Sequence, residues 1–343
     1  MKKLKTCLAG LFAAVLLFSV TGCSGDTTWV FETEKGTVPA GVYISYLQDA
    51  YTDAQNELGS TENIWDQTID DISVEQWIIN RAIERTKQYI AVDVMFDELG
   101  LTLGTEGQNT IKNKADTYWE QYQTSCEENG ISYSSVEKLA ESDYKTQKVF
   151  EYYYETDGVE AVNEETIKEY FYDNYAKVKY ISISRYDLET GEEKDDEAIQ
   201  DLIDEYVTQL NKGEDIDTLI DSYYAEVYEG YGLGDYEVDT SDSSRNVSLL
   251  SRNQAGDIEG FAEKTFEQSE FNVPYSDIGE SYGYVGCRYD LRADDELYQK
   301  NRSAVLYQLK SDPFVQKLDE RVSTIDITTN EEAINRYSPK NLK

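Results

Sequence analysis

At Val178 the apolar residues of this chain change their repeat. Upstream, Val74, Ile78, Ala82, Tyr89, Val92, Phe96 and Leu99 recur at about 3.6 positions, the spacing of a helix that buries one face. From Val178 to Tyr186 the spacing is 2, with Val178 and Tyr180 facing one way and Ile181 and Ile183 the other. Past residue 294 helical spacing returns. A chain that switches period twice is an α+β protein whose strands are confined to its middle.

Punctuation divides it further. Thr37-Val38-Pro39-Ala40-Gly41 opens a long helical region, and helices are expected over 106–129, 134–156 and 164–174, with Gly100, Gly130 and Gly158 as stops. Arg81 and Arg85 interrupt the first stripe, but their stems lie along apolar surface while their heads reach water. Residues 39–175 thus form a mostly helical domain, preceded by a tether over 23–38. The strand at 178–186 is followed by helices at 197–211 and 217–224, a short helix at 258–267 and a closing strand at 283–291, which makes 176–291 a compact α+β domain. The glycine-rich loop Gly230-Tyr231-Gly232-Leu233-Gly234 lacks the strand–loop–helix setting that phosphate binding needs. In 292–343, Leu297, Asn301, Ala304, Gln308 and Val315 stack along one side of a helix, with Val305, Leu318 and Val322 flanking. Asp312-Pro313 predicts a break or kink, and the end of the chain reads as extended. The stripe over 294–322 has no partner within the insert, so this helix is expected to return to the helical first half.

The N-terminus places the chain. Lys2, Lys3 and Lys5 precede an apolar run from Leu8 to Val20, too short to stay as a spanning helix, and the run closes on Val20-Thr21-Gly22-Cys23. Residues 1–22 read as a lipoprotein signal peptide and Cys23 as the lipid attachment point, with an ordinary signal peptide and an incidental cysteine as the lesser alternative. That puts the mature chain on the extracytoplasmic face of the cell membrane, held by its N-terminal lipid.

Charge and missing residue types exclude whole classes of function. The chain has 31 Lys+Arg against 68 Asp+Glu, a net charge of −37; removing three signal lysines leaves 28 − 68 = −40. Nucleic acid is thereby excluded as a partner. Wholesale disorder is excluded by 13% aromatic residues, 29 of the residues being Tyr. There is no histidine, which removes Ser-His-Asp and Cys-His mechanisms, His-ligated zinc and imidazole acid–base chemistry. Cys126 and Cys287 stand far apart with no CxxC, so a metal site is not expected and no cofactor is called for; free buried thiols are the simpler reading, with a disulfide left open. The acidic pairs Glu192/Glu193 and Asp294/Asp295 lie beside turns or helix starts, where solvation or the helix dipole accounts for them.

The lipobox, the Val-Pro-Ala-Gly-Val-Tyr entry into helices, the helical first half, the α+β insert and the terminal helix together resemble the parvulin-type extracytoplasmic foldase lipoproteins of Gram-positive bacteria, the PrsA-like and SurA-like chaperones. The most specific part is Phe261-Ala262-Glu263-Lys264-Thr265-Phe266 followed by Gly283-Tyr284-Val285, similar to the Phe-rich helix and Gly-Tyr-His strand that end a parvulin domain. Gly232-Leu233-Gly234 matches that family's glycine loop. The resemblance implies a helical chaperone domain, built from residues 39–175 and the returning C-terminal helix, with a parvulin-like domain inserted. It also implies a degenerate proline pocket at Tyr180, Phe261, Phe266 and Val285, in which Tyr180 and Val285 stand where the family has its two active-site histidines. No residue is assigned a catalytic role.

The expected function is a membrane-anchored folding factor for unfolded or nascent exported polypeptides, with peptidyl-prolyl isomerase activity weak or absent. An active isomerase, or a binding or scaffold lipoprotein with no chaperone role, are the alternatives. Phe261 and Phe266 at helical spacing are also what a plain core would show.

Overall fold

A computed structural model describes residues 28–59, 63–187, 190–238 and 244–343; the signal segment, Cys23 and residues 24–27 of the expected tether lie outside these. The chain divides into two units, one comprising Met1–Ala161 with Ser311–Lys343 and the other Val162–Lys310. Among the described residues no helix is long and apolar enough to cross a membrane. The architecture is mostly helical α+β, with small antiparallel sheets.

The first unit begins with strands where the sequence reads as tether. β1 (Trp29–Thr33) and β2 (Gly36–Pro39) form an antiparallel pair, and β9 (Thr328–Thr329) lies on the other side of β1. Val30 and Phe31 are fully buried. So short a run carries no visible alternation, and only its partners, one of them some 300 residues away, make it a strand.

Helix α1 (Ala40–Leu58) follows directly, and it stops at Gly59, whose left-handed φ of 63° favours glycine. A tight hairpin of β3 (Thr68–Ile69) and β4 (Ile72–Ser73) turns through Asp70 and Asp71, both left-handed. The side chain of Ser73 then accepts from the Gln76 N–H to cap α2 (Val74–Glu98). The expected stripe of α2 is inward: Val74, Ile78, Ala82, Val92 and Phe96 are buried, and Tyr89 is half-buried. Arg85 reaches Asp53 on α1 at 2.6 Å. Helices α3 (Gly104–Glu128) and α4 (Tyr133–Tyr154) complete the layer, and Cys126 is a free, buried thiol at the end of α3.

The second unit is built on a four-stranded antiparallel sheet of β5 (Tyr175–Ser184), β6 (Ser248–Ser251), β7 (Pro274–Ile278) and β8 (Tyr282–Tyr289), in the order β6-β5-β8-β7. It is preceded by α5 (Glu164–Asn174). Helices α6 (Asp196–Asn211) and α7 (Ile216–Gly230) cover one face, where Ile181, Ile183, Val285 and Cys287 meet Ile199, Ile203 and Leu219. Helix α8 (Glu259–Glu267) covers the other, where Phe261 packs on Ala176, Val178 and Tyr284. The period of 2 thus serves two apolar faces at once. Strands β6 and β7 went unanticipated because each is short and neither alternates.

Helix α9 (Asp295–Val322) is continuous through Pro313, which corrects the expected break. The proline ring is on the exposed side, while Phe314 and Leu318 are buried around it. The stripe is corrected too. Ala304, Gln308 and Val315 are exposed; the inward residues are Tyr298, Val305, Leu306, Phe314 and Leu318. The large rings of Tyr298 and Phe314 set the rotation, which differs by one residue, about 100°, from the one anchored on Leu297. The early part of α9 belongs to the sheet unit: Tyr298 packs on Phe171 at 5.6 Å and donates to Glu164 at 2.6 Å, and Arg302 pairs with the same carboxylate at 3.0 Å. The late part belongs to the helical unit, where Phe314 meets Phe150 edge-on at 5.3 Å and Arg321 reaches Glu98 at 2.6 Å. Of its 28 residues, the twelve from Ser311 to Val322 lie in the helical unit and the rest in the sheet unit.

The tail after it is not extended. It forms β9, helix α10 (Glu331–Arg336) and a 3-10 turn at Pro339–Asn341, with Ala333 and Ile334 buried and Lys340 on Glu75 at 2.7 Å.

Candidate functional site

The sequence singles out Tyr180, Phe261, Phe266 and Val285, and the structure sorts them by strand parity. Tyr180 on β5 and Phe261 on α8 come together, ring centroids 5.5 Å apart, on the α8 face of the sheet. Val285 is fully buried on the opposite face among the isoleucines under α6 and α7. The residue of β8 that joins Tyr180 is its neighbour Tyr284: its ring lies 6.1 Å from Tyr180 and 5.4 Å from Phe261. Tyr275 on β7 closes the group, stacked on Phe261 at 4.8 Å with an interplanar angle of 17°. Phe266, one turn along α8, is half-buried at the margin, with the guanidinium of Arg252 over its ring at 4.4 Å.

Why the strands arrange this way follows from register. Tyr180 pairs with Gly286, and Ile181 with Val285, so the even residues of β5 and β8 share the α8 face. Gly286 is required there. A Cβ at that position would stand 2.6 Å from the Lys179 carbonyl oxygen, 2.8 Å from the Tyr180 Cβ and 2.9 Å from Phe261 Cζ. The absent side chain is what lets Phe261 lie against the sheet.

Polar groups ring this aromatic stack, and almost all of them are spoken for. Asp257 accepts from the Ser281 N–H at 2.7 Å, the Tyr282 N–H at 3.2 Å and the Tyr284 hydroxyl at 2.9 Å. Burial, and then the Asp257 charge, push the Tyr284 phenol well above the tyrosine range, so it is a neutral donor. Burial does the same to Tyr275, opposed by its short contact with the Thr265 hydroxyl at 2.6 Å. The Tyr180 hydroxyl makes no hydrogen bond among the described residues. Phe261 is 0% exposed and Tyr284 4%. On the far face Cys287 is free, and burial pushes its thiol up to about 11. Among the described residues no group of His, Cys, Asp and Glu is placed to hold a metal ion.

No family model matches the chain, and no curated protein matches it. Solved structures do overlap it along most of its length. PrsA from Bacillus subtilis aligns over 91% of this chain and 99% of its own, at 16% identity and a TM-score of 0.32. The foldase protein PrsA from Lactococcus lactis aligns over 92% and 100%, at 11% identity and 0.36. The foldase protein PrsA from Streptococcus pneumoniae aligns over 79% and 97%, at 12% identity and 0.38. At these scores the fold and function of this chain rest on its own topology and residues.

Sequence reasoning missed Tyr275 and Asp257, and it quoted Thr265 and Tyr284 in the motif without placing them in the pocket. The signal that was present is parity. Once Tyr180 is placed on a strand and Gly283 to Leu291 on its antiparallel neighbour, the register decides whether Tyr284 or Val285 faces it, and a glycine opposite Tyr180 marks the close approach.

Proposed function

We propose that this chain is a folding factor tethered by a lipid on Cys23 to the extracytoplasmic face of the membrane, where it holds unfolded exported polypeptides and catalyses X-Pro rotation weakly or not at all. In this reading the helical unit is the chaperone domain and the sheet unit a parvulin-like insert whose pocket has been filled.

One observation carries the catalytic half of the reading: Phe261 is wholly buried between Tyr275 and Tyr284, beneath Tyr180. Rotation about an X-Pro bond is opposed by the partial double-bond character of the amide, and an enzyme lowers the barrier by taking the proline ring into an apolar recess and desolvating the amide. Here the protein's own rings occupy that space. The holding half is supported by the lipobox, by a resemblance that covers nearly the whole mature chain, and by a surface whose tyrosines present an apolar face with a polar tip.

Two measurements test it. A chemically unfolded client diluted into buffer should aggregate less with the protein present, and Cys23→Ser should move the protein from the membrane fraction to the soluble one. A protein that leaves client aggregation unchanged is not a folding factor. A Cys23→Ser chain that stays membrane-bound with its signal segment attached is not a lipoprotein.

A further inference from the structure

Three arginines break the rule that the other arginines follow. Arg81, Arg85, Arg185, Arg245, Arg302, Arg321 and Arg336 each pair with a carboxylate. Arg252, Arg288 and Arg292 have no carboxylate within ion-pair distance among the described residues, and each lies over an aromatic ring instead. In a chain with 68 acids to 31 bases, carboxylates are not in short supply. Two of the three share one ring: the guanidinium of Arg252 is 4.4 Å and that of Arg288 5.9 Å from the centre of Phe266.

Their donors are only partly used. Arg252 donates through Nε to the Asp173 carbonyl at 3.0 Å, which leaves both terminal nitrogens open. Arg288 uses Nη1 alone, for the carbonyls of Thr265 at 3.2 Å and Gln268 at 2.7 Å at the end of α8. Burial, and the charge of Arg252 beside it, hold Arg288 below the usual arginine range, with Tyr275 and Asp290 opposing. Beyond Arg288 lies Phe271, 42% exposed and 5.7 Å from the guanidinium. Two like charges, open planar donors and a bare phenyl ring therefore meet on one small surface of the sheet unit.

We propose that the shelf made by Arg252, Phe266, Arg288 and Phe271 binds an acidic–apolar segment of extended polypeptide, the guanidiniums taking its carboxylate and Phe271 a neighbouring apolar side chain. Planar guanidiniums match a carboxylate with paired N–H···O bonds, and the ring beneath them holds them in place without neutralising them. A polyphosphate or other polyanion is disfavoured on two counts. It has no use for Phe271, and the net charge of −37 repels a ligand with many negative charges while tolerating one with few. This rests on the reading that the chain holds unfolded segments, and it adds that acidic segments have a site of their own on a protein whose overall charge would select basic ones.

The test uses the mature chain and a fluorescein-labelled twelve-residue peptide that carries one Glu-Leu-Glu-Leu stretch in an otherwise Ser/Gly sequence, followed by anisotropy. The acidic peptide binds; Arg252→Gln weakens it by about 10-fold, the worth of a charge-assisted hydrogen bond; Phe271→Ala weakens it further; and Lys138→Gln in the helical unit has no effect. A peptide with Gln for Glu loses the same factor on the unmodified protein and is insensitive to Arg252→Gln. Because Arg252 and Phe271 are exposed, neither change threatens the fold, and circular dichroism checks this. Equal binding of the Glu and Gln peptides, no effect of Arg252→Gln, or tighter binding of inorganic polyphosphate than of the peptide would each overturn the proposal. If peptide binding fails while client aggregation is still suppressed, the shelf is wrong and the folding-factor reading stands; if the peptide binds but aggregation is not suppressed, the reverse holds.

Discussion

At the scale of single residues, the sheet unit depends on a few positions that admit no substitute. Gly286→Ala would drive a methyl group into the Lys179 carbonyl and the Tyr180 and Phe261 side chains, all closer than 3.0 Å. Overpacking of this kind costs about 1–3 kcal/mol, so the variant should melt earlier than the parent. Asp217 offers a sharper test because its partners are nearly buried. Burial pushes its carboxyl up, but Lys179, Asn246 and Arg245 together outweigh it and hold the group below the usual carboxylate range. A depressed folded pKa contributes stability that is present above the unfolded value, about 3.9, and is lost as pH falls through the folded one. Asp217→Asn should therefore destabilise the protein by about 2 kcal/mol at pH 7 and by progressively less below pH 4. A gap between the two proteins that does not narrow in acid would show that shape, not charge, matters there. The same scale explains what the sequence could not reveal about the site. Tyr284 and Val285 are adjacent, both apolar enough for a core, and a one-residue choice of register sends one to the aromatic stack and the other to the opposite face.

At the scale of elements, legibility followed length and local signals. Helix α2 was readable because its apolar residues repeat at its period, and α4, α5 and α6 lie within two residues of the ranges expected; the structure adds that Ser132, Asn163 and Asp195 cap them with their side chains. Strand β5 was readable because its residues from Val178 onward alternate at a period of 2, and the structure extends it back to Tyr175 and ends it at Ser184. What escaped was short or held by distant partners: β1 and β9 pair across some 300 residues, and β6 is four residues long with no polar–apolar alternation. Helix α9 escaped in a third way, since the local rule at Pro313 was overridden by packing on either side of it. An interior proline costs a helix about 3 kcal/mol relative to alanine, and part of that is returned by the stiffer unfolded chain. Pro313→Ala should accordingly raise the stability of the helical unit by about 1–2 kcal/mol, seen as a higher melting temperature. No change would mean that the helix bends at Pro313 to recover the lost bonds.

At the scale of the whole molecule, the proposed role is that of a strongly acidic, lipid-tethered chain of two units of different architecture that works on soluble partners. The chain has no histidine, the usual proton carrier, among its 343 residues, and Phe261 is fully buried; the role proposed is accordingly holding without isomerisation. Refolding of a client whose slow phase is limited by an X-Pro bond tests this most directly. Such a phase takes tens to hundreds of seconds uncatalysed at 25 °C. With the protein present, the yield of refolded client should rise while the rate of the slow phase stays at its uncatalysed value. A slow phase that accelerates in proportion to the protein's concentration, and loses that acceleration with Phe261→Ala, would contradict it.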